Sequence, residues 1–483
     1  MIRPLLATIL AAGPLLAPLD AHARPDIYPQ TPDAGRMKAD VYTLASPAFE
    51  GRLTGTPGQM KAAHLVADRF RTLGLQPLGA GAEPFFLPYE LALRATDESA
   101  SSLSLNGHRA AFGPGAASYR LAPLSVELDF LPEGALPGAA ERDHWIAAFA
   151  PKGFKAEDAG PMLAKLLDRG AAGLVLLPRP GVDELAPLRG RARAFSTRGR
   201  YGFPEEATPT GPPEAILDEP SASALGLDLA ALMTRRDPLA LGTLRLDPAR
   251  AAQMIHPVNV AGLLPGTDPK LKDEIVVLSA HEDHLGIVNG ELHPGADDNA
   301  SGTAVLMEVA RLIKDAKPRR SILFLSVSGE ELGLFGSRAF VAKPPVPLQA
   351  IVADLNTDMV GRNGVKTIAI TPARVAGATG TLTRDAREIA DALGFTLTAE
   401  ADDYWKRSDH YTFAQVGIPA LFFFGGMEPD YHQATDTPDK VEPEKLANVA
   451  EMLRRLALKV ANADARPRPL PDQTWKSWAW PSR

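Results

Sequence analysis

Two continuous apolar runs in the second half of the chain predict buried β-strands. They are VVLSA at 276–280 and ILFLSV at 322–327, and strands covered on both faces of a parallel sheet require such runs. The segment between them places one apolar stripe on a helix, formed by Val305, Leu306, Val309, Leu312 and Ile313. A strand, a helix and a second strand of these lengths predict a βαβ crossover. From about His256 onward, the pattern therefore predicts an open α/β sheet.

Acidic or histidine-bearing segments follow the predicted strands of this half. They include HEDHLG, SGEELG, NTDMVG and YHQATDT, and GADDNASG precedes the intervening helix. The polar residues that they supply are His281, Asp297, Glu330, Glu331, Asp358 and His432. Open α/β sheets bind ligands outside the carboxyl ends of their strands, where several loops meet. We therefore expect these side chains to converge in one crevice.

Two pairs in these segments have a spacing that suits a metal site. His281 and Asp283 are two residues apart at a predicted strand end, so their side chains leave the same face if the extended geometry continues. One can then bind a metal while the other orients it. Glu330 and Glu331 are adjacent at another strand end, where successive side chains diverge. A metal ligand and a free general base can therefore lie side by side.

Two histidines and at least three carboxylates form a borderline-hard ligand set, which suits zinc and also manganese or cobalt. The chain contains no cysteine, which excludes thiolate ligands, thiolate catalysis and a disulfide framework. Two cations about 3.5 to 4 Å apart can share a bridging carboxylate and a water, and lower the pKa of that water towards neutrality. Glu330 would then accept the proton.

The first 23 residues have the pattern of a secretory signal peptide. Arg3 precedes an apolar stretch that ends at Leu19, and an Ala-x-Ala cleavage site ends at Ala23. Prolines interrupt the stretch, which is short for a membrane span. We therefore predict an exported protein, periplasmic or secreted, without stable membrane insertion once the peptide is removed.

Composition adds two exclusions. With 45% hydrophobic and 23% charged residues, the chain resembles an ordinary globular protein and not a disordered or fibrous one. A net charge of -7 and a pI near 5.9 give no global electrostatic case for nucleic-acid binding.

The region from about Ala95 to Leu246 differs in character from the rest. Pro, Gly, Ala and Arg become frequent, and the acidic strand-end segments are absent. Its most regular part, DAGPMLAKLLDRGAAGLVLLPRP, predicts an apolar helix, a glycine turn and a buried strand. We interpret the region as an inserted, smaller, β-rich α/β domain.

The segments HEDHLG, GADDNASG, SGEELG, LNTDMVG, RSDHYTF and YHQATDTPDK, in this order, resemble the M28 family of co-catalytic zinc metallopeptidases. The resemblance covers about Val258 to Val460 and the earlier segment LASPAFEGRLTGTPG with the helix after it. It implies a zinc-dependent exopeptidase fold, in which helices flank a mixed, largely parallel central sheet. It also implies that the inserted region is a protease-associated-like domain.

The predicted boundaries are as follows: signal peptide 1–23, N-terminal part of the peptidase domain 24–94, inserted domain 95–250, catalytic peptidase domain 251–465 and C-terminal tail 466–483.

The resemblance implies a role for each site residue. The five implied zinc ligands are His281 and Asp358 for one ion, Glu331 and His432 for the other, and Asp297 as the bridge. Glu330 is implied as the general base, and Asp283 as the partner that orients His281.

Some positions leave alternatives open. Asp298 competes with Asp297 for the bridge, although the first acid of GADDNASG fits the family pattern better. Asp354 competes more weakly with Asp358. In an extended strand end, His284 would point to the face opposite His281 and Asp283, which favours supporting a metal ligand, or a structural use, over ligation. The run 408–410, Ser-Asp-His, superficially suggests a hydrolase triad, but triad members are seldom sequence neighbours.

The sequence therefore predicts a dinuclear zinc exopeptidase, favoured as an aminopeptidase on peptide substrates, with two Zn²⁺ that Mn²⁺ or Co²⁺ could replace. A dipeptidase or carboxypeptidase, a glutaminyl cyclase with one zinc, and a non-catalytic binding ectodomain are the alternatives. The full ligand set disfavours the last two. Side-chain specificity, physiological substrate and oligomeric state are not predicted.

Overall fold

The structure of the chain, a computed structural model, describes residues 30–206 and 211–481. The predicted signal peptide, 1–23, lies outside the described residues. Within them, no helix has both the length and the apolar character needed to cross a membrane.

The strands, in chain order, are β1 Gln76–Pro77, β2 Phe86–Pro88, β3 Leu91–Thr96, β4 Ser102–Leu105, β5 His108–Ala111, β6 Ala116–Ser118, β7 Leu124–Phe130, β8 Trp145–Phe149, β9 Gly173–Leu177, β10 Arg200–Gly202, β11 Glu214–Leu217, β12 Leu239–Asp247, β13 Arg250–Ile255, β14 Val258–Leu264, β15 Ile275–His281, β16 Gly286–Val288, β17 Glu291–His293, β18 Ser321–Val327, β19 Ile351–Asp358, β20 Thr367–Thr371, β21 Thr396–Thr398 and β22 Ala420–Phe424.

The α-helices are α1 Ala34–Leu44, α2 Pro57–Thr72, α3 Ala159–Leu167, α4 Ala186–Thr197, α5 Glu219–Ala224, α6 Leu229–Thr234, α7 Gly302–Ile313, α8 Phe335–Ala342, α9 Thr381–Leu393, α10 His410–Gln415, α11 Pro443–Asn462 and α12 Asp472–Trp475.

A mixed sheet in the order β1-β14-β18-β15-β19-β22-β20-β21, with β2 also paired to β14, carries the site. Its four middle strands, β18, β15, β19 and β22, are mutually parallel, whereas β14 and β20 join them antiparallel. This confirms the predicted α/β fold with a mixed, largely parallel central sheet.

Both faces of this sheet are covered, which explains the continuous apolar runs. Val276 and Leu278 of β15 belong to the core cluster formed with α1, α2, α7 and α11. Val277 of the same strand packs in a second cluster with Phe340 of α8 and Phe413 of α10. Alternate side chains of one strand therefore enter opposite cores.

The predicted crossover is present as β15, α7 and β18, and β15 pairs with β18 in parallel. All five residues of the predicted stripe on α7 are buried. The crossover brings two of the polar strand ends to the same edge of the sheet.

A separate eight-stranded sheet, in the order β5-β4-β12-β7-β8-β9-β11-β6, lies within residues 102–247. The predicted helix, turn and buried strand are α3 and β9, and β9 is buried along its whole length. A three-stranded sheet joins β3 at the start of this region, β13 at its end and β10 from within it. The boundaries 95 and 250 stay a prediction.

One buried acid in this sheet gives a pH-dependent expectation. Glu214 begins β11, is 4% exposed, and its Oε1 atom has no hydrogen-bond partner in the described part of the chain. Burial raises the pKa of Glu214 from 4.5 to about 7. The folded state therefore binds this proton more tightly than the unfolded state, and stability is lost as the pH rises from 4.5 through 7.

We expect Glu214→Gln to raise the melting temperature at pH 8, where it removes a buried charge, and to change it much less at pH 5. The gain in unfolding free energy at pH 8 should be on the order of 1 to 3 kcal/mol. Thermal melts at both pH values test this, with the exposed Glu291→Gln as a surface control. An equal shift at pH 5 and pH 8 would be inconsistent with a buried carboxylate that ionises near neutrality.

Candidate metal centre

The carboxyl ends of β18, β15, β19 and β22 lie side by side and hold most of the predicted site residues. His281 and Asp358 are the last residues of β15 and β19. Glu330 and Glu331 follow β18, and His432 follows β22. The structure thus brings together residues that are as much as 151 positions apart in the chain.

One group at this edge consists of His281, Asp298 and Asp358. The Nε2 atom of His281 is 3.2 Å from Oδ1 of Asp358 and 3.4 Å from Oδ1 of Asp298. The three residues are buried and offer one ligand atom each within 4.8 Å of the others. The predicted pair His281 and Asp358 is therefore in contact, whereas Asp354 bonds to the Ser279 hydroxyl instead.

A second group shares Asp298: His284, Asp298 and Glu331 offer one ligand atom each within 4.8 Å of the others, and His432 lies beside them. Nε2 of His432 is 3.0 Å from Oε2 of Glu331 and 3.3 Å from Oδ2 of Asp298. The two oxygens of one Asp298 carboxylate thus face the two histidines of the predicted site. This is the geometry of a carboxylate shared between two ligand groups.

Asp297, predicted as the bridge, lies outside both ligand groups, whereas Asp298, its alternative, belongs to both. Oδ1 of Asp297 accepts a hydrogen bond of 2.7 Å from the backbone N–H of Gly361. The backbone N–H groups of Asp297 and Asp298 both donate to Asp436. The irregular turn Ala296–Ser301 turns Asp298, and not its neighbour, towards the histidines.

His284 lies within the cluster and contacts a predicted ligand. Its Nδ1 lies 2.7 Å from Oε1 of Glu331 and 3.9 Å from Oδ2 of Asp298. The expectation that it points away assumed a continuing strand, but β15 ends at His281. The backbone N–H of His284 instead donates to the carbonyl of Arg52. Because the strand ends before His284, its side chain does not follow the alternation of a strand. No sequence signal marks where the strand ends.

Asp283 is buried between His281 and the Glu330 turn. Nδ1 of His281 is 3.2 Å from the backbone oxygen of Asp283 and 3.6 Å from its carboxylate. The same carboxylate accepts the backbone N–H of Glu330 at 3.3 Å and the Thr54 hydroxyl at 2.7 Å. Asp283 therefore contacts both a candidate ligand and the candidate base.

The electrostatics of the cluster favour bound positive charge. Desolvation and the charge of Glu331 raise the pKa of Asp298 to about 6. Desolvation, with Glu331 and Asp358 beside it, raises the pKa of Glu330 well above its ordinary value. Desolvation lowers the pKa of His432, but its contacts with Asp298 and Glu331 outweigh this and raise it to about 10. Asp298 and Glu330 hold protons more tightly than usual because few positively charged groups offset the negative charges around them.

Several buried polar atoms of the cluster have no hydrogen-bond partner among the described residues. They are Nε2 of His281, Nε2 of His284, Oδ1 of Asp358 and Nε2 of His432. A buried polar atom without a partner is costly and calls for an explanation. Imidazole nitrogens and carboxylate oxygens with free lone pairs are zinc ligands. The residues present therefore fit a divalent metal.

A small cavity of about 30 Å³ opens on this cluster. Asp298, Glu330 and Asp358 line it, together with the aromatic side chains of Tyr404, Phe422, Phe424 and Tyr431. The Tyr431 ring stacks on His432 with centroids 3.8 Å apart, and its hydroxyl accepts a hydrogen bond from Arg407.

The run 408–410 does not form a triad. The Ser408 hydroxyl accepts a hydrogen bond of 2.8 Å from Asn356, and the His410 ring stacks on Phe422. Both ring nitrogens of His410 lack a hydrogen-bond partner within the described ranges. The expectation against a serine hydrolase is consistent with this geometry.

Comparison with curated proteins relates the chain to peptidases. It is 28% identical over 222 residues to aminopeptidase YwaD of Bacillus subtilis, and the match covers 44% of this chain and 47% of that protein. It is 30% identical over 234 residues to a probable leucine aminopeptidase of Arthroderma otae, covering 46% and 63%. The chain thus spans about half to two thirds of the length of these relatives. A probable glutamate carboxypeptidase VP8 of Zea mays is 28% identical over 96% of this chain and 72% of that protein.

Solved structures show the same fold over most of the chain. An aminopeptidase from Aneurinibacillus sp. strain AM-1 matches 94% of this chain and 98% of its own, with 21% identity and a TM-score of 0.54. A zinc aminopeptidase of Bacillus subtilis matches 89% and 96%, with 20% identity and a TM-score of 0.51. The model of peptidase family M28 matches residues 259–457, which contain every residue of the two ligand groups. Residues 259–457 are therefore similar to peptidase family M28.

Proposed function

We propose that the chain is a dinuclear zinc exopeptidase that removes N-terminal residues from peptides. The observation that carries this proposal is the position of Asp298, whose two carboxylate oxygens face His281 and His432 separately. Glu330 lines the same cavity as this carboxylate. Two ligand groups with one shared acid, beside a free acid, are what a two-metal hydrolase requires.

In this proposal His281 and Asp358 hold one zinc ion, and Glu331 and His432 hold the other. Asp298 takes the bridging role that the sequence argument gave to Asp297. His284, which bonds to Glu331, keeps that carboxylate in place. A bound zinc pair supplies positive charge that activates a water molecule and polarises the scissile carbonyl. Manganese or cobalt could replace zinc at such a ligand set.

Glu330 is the proposed general base. It contributes no oxygen to either ligand group, so its carboxylate is free to take the proton of the attacking water. After attack on the carbonyl, the same carboxylic acid gives this proton to the leaving amine.

The choice of an aminopeptidase is supported by two features. The curated relatives from Bacillus subtilis and Arthroderma otae are named aminopeptidases. The cavity is lined by three carboxylates, Asp298, Glu330 and Asp358, which suits the ammonium group of a free N-terminus. The relative from Zea mays is named a probable glutamate carboxypeptidase. Removal of C-terminal residues is therefore the alternative.

A panel of one short peptide in four forms tests the polarity. The peptide is offered free, N-acetylated, C-amidated and blocked at both ends, with and without a zinc chelator. We expect hydrolysis of the free and C-amidated forms only, and its loss with the chelator. Cleavage of the N-acetylated form with sparing of the C-amidated form would instead make the protein a carboxypeptidase.

Export through the N-terminal 23 residues is part of the proposal and rests on the sequence pattern alone.

A further inference from the structure

The segment Gly51–Gln59 crosses directly behind the metal centre and has no role in the mechanism above. It contains a turn at 54–55 and leads into α2. Three of its side chains, Arg52, Thr54 and Gln59, are at most 2% exposed. All three bond to residues more than 220 positions later in the chain, at the loops that carry the candidate ligands.

Arg52 connects this segment to two of the loops that carry candidate ligands. Its guanidinium donates to the carbonyl oxygen of Glu282 at 2.7 Å, to that of Pro294 at 2.7 Å and to that of Gly295 at 2.8 Å. Glu282 directly follows His281, and Gly295 lies three residues before Asp298. The rigid fork of a buried arginine therefore fixes the distance between these two loops.

The backbone at Gly51 is pressed against the same region. A Cβ atom at Gly51, where φ is +66°, would lie 2.5 Å from the carbonyl oxygens of Gly286 and His293. Only glycine allows this approach. The segment is thus held at a fixed distance from the metal centre by contacts on both sides of Thr54.

Thr54 makes the one contact of the segment that reaches a functional carboxylate. Its hydroxyl donates to Oδ2 of Asp283 at 2.7 Å and accepts from the Ser328 hydroxyl at 3.2 Å. A threonine hydroxyl has one proton. Because a carboxylate oxygen can only accept, this proton is directed to Asp283, and Ser328 donates its own proton to Thr54.

This bond decides how the buried Asp283 carboxylate is oriented. Asp283 is 0% exposed, and its other donor, the backbone N–H of Glu330, is longer at 3.3 Å. Oδ1 of Asp283, which accepts this N–H, also faces Nδ1 of His281 at 3.6 Å. Rotation of the carboxylate away from Thr54 would weaken its contacts with both His281 and Glu330.

We propose that Thr54 is a positioning residue of the metal centre: its hydroxyl holds the Asp283 carboxylate against His281 and the Glu330 turn. This rests on the proposed function, since it assumes that His281 binds zinc. Contacts that orient a histidine ligand contribute about 10- to 100-fold to metal affinity or activity. Thr54 itself touches neither a ligand atom of the two groups nor the cavity lining.

The test compares Thr54→Val, which replaces the hydroxyl by a methyl group of similar size, with Thr54→Ser, which keeps the hydroxyl. Ser328→Ala is the matched control, because it removes the neighbouring buried hydroxyl but leaves the bond from Thr54 to Asp283. Zinc affinity is measured by competition with a chromogenic chelator, and kcat and KM are measured on a free-terminus peptide. Thermal melts report folding.

We expect T54V to lower zinc affinity and kcat by about 10- to 100-fold with little change in KM. T54S and S328A should stay within about threefold of the wild type. Wild-type zinc affinity and kcat in T54V would overturn the proposal, as would a loss in T54S equal to that in T54V. If T54V does not fold, Thr54→Ala replaces it under the same criteria, and the result for T54S still decides.

The two failures are distinguishable in the same titration. If the wild-type protein binds no zinc, the proposed function fails. If the wild type binds zinc and T54V binds it equally well, only the role of Thr54 fails.

Discussion

Replacing Glu330 by glutamine is expected to lower kcat by about 10²- to 10⁴-fold, the usual contribution of a general base, while the protein keeps its zinc. Glutamine has nearly the same size as glutamate but cannot accept the proton of the attacking water. Glu330 offers no atom to the two ligand groups, so the metal should stay bound. Zinc content after dialysis and turnover of a free-terminus peptide are the two measurements.

Glu331→Gln is the matched comparison, because the neighbouring residue receives the same substitution. Its carboxylate contacts His432 at 3.0 Å and His284 at 2.7 Å, so this variant should lose zinc as well as activity. The assignment of base and ligand would be reversed if E330Q lost zinc and E331Q kept it. Normal turnover in E330Q would remove Glu330 from the mechanism.

Replacing Asp298 by asparagine is expected to release zinc and to abolish measurable turnover. The Asp298 carboxylate lies within 3.4 Å of both His281 and His432, and an amide oxygen has no charge to offset two cations. The loss of zinc affinity should exceed the roughly 10- to 100-fold effect of an outer contact. Zinc per chain after dialysis is the readout.

Asp297→Asn is the control, since Asp297 is the adjacent residue of the same type. Its carboxylate accepts the N–H of Gly361 and belongs to neither ligand group. We expect D297N to retain its zinc, with a lower melting temperature because a buried hydrogen bond is weakened. Loss of zinc in D297N with retention in D298N would restore the bridge to Asp297.

The central sheet was predictable because its signal is local. The runs at 276–280 and 322–327 are apolar at every position that two covered faces require, and α7 between them has one continuous stripe. A strand, a helix and a strand of these lengths leave few topologies open. The convergence of His281, Asp358 and the Glu330 turn then follows from the parallel strand order.

Which of two neighbouring acids faces the histidines was not predictable, because it depends on one irregular turn. Asp297 and Asp298 are chemically identical neighbours, and the backbone of Asp298 has non-helical angles, with φ of -101° and ψ of 95°. A pattern of residue types cannot show which of the two side chains such a turn directs inward. The same reason explains His284, whose direction changes where β15 ends.

The segment that contains Arg52 and Thr54 was beyond prediction for another reason. Arg52 and Thr54 bond to backbone carbonyls and one carboxylate that lie more than 220 residues away. A carbonyl oxygen is the same at every position, so the sequence carries no mark of the partner. Only the folded chain shows that a fully buried arginine and a threonine contact the loops that carry the candidate ligands.

The most direct test of the two-metal account is a zinc titration of metal-free, full-length protein, followed by the rate of N-terminal hydrolysis of an unblocked peptide. We predict that the rate rises until two zinc ions are bound per chain and that two zinc ions remain after dialysis. Full activity with a single zinc ion per chain, or hydrolysis that is independent of zinc, would contradict the account.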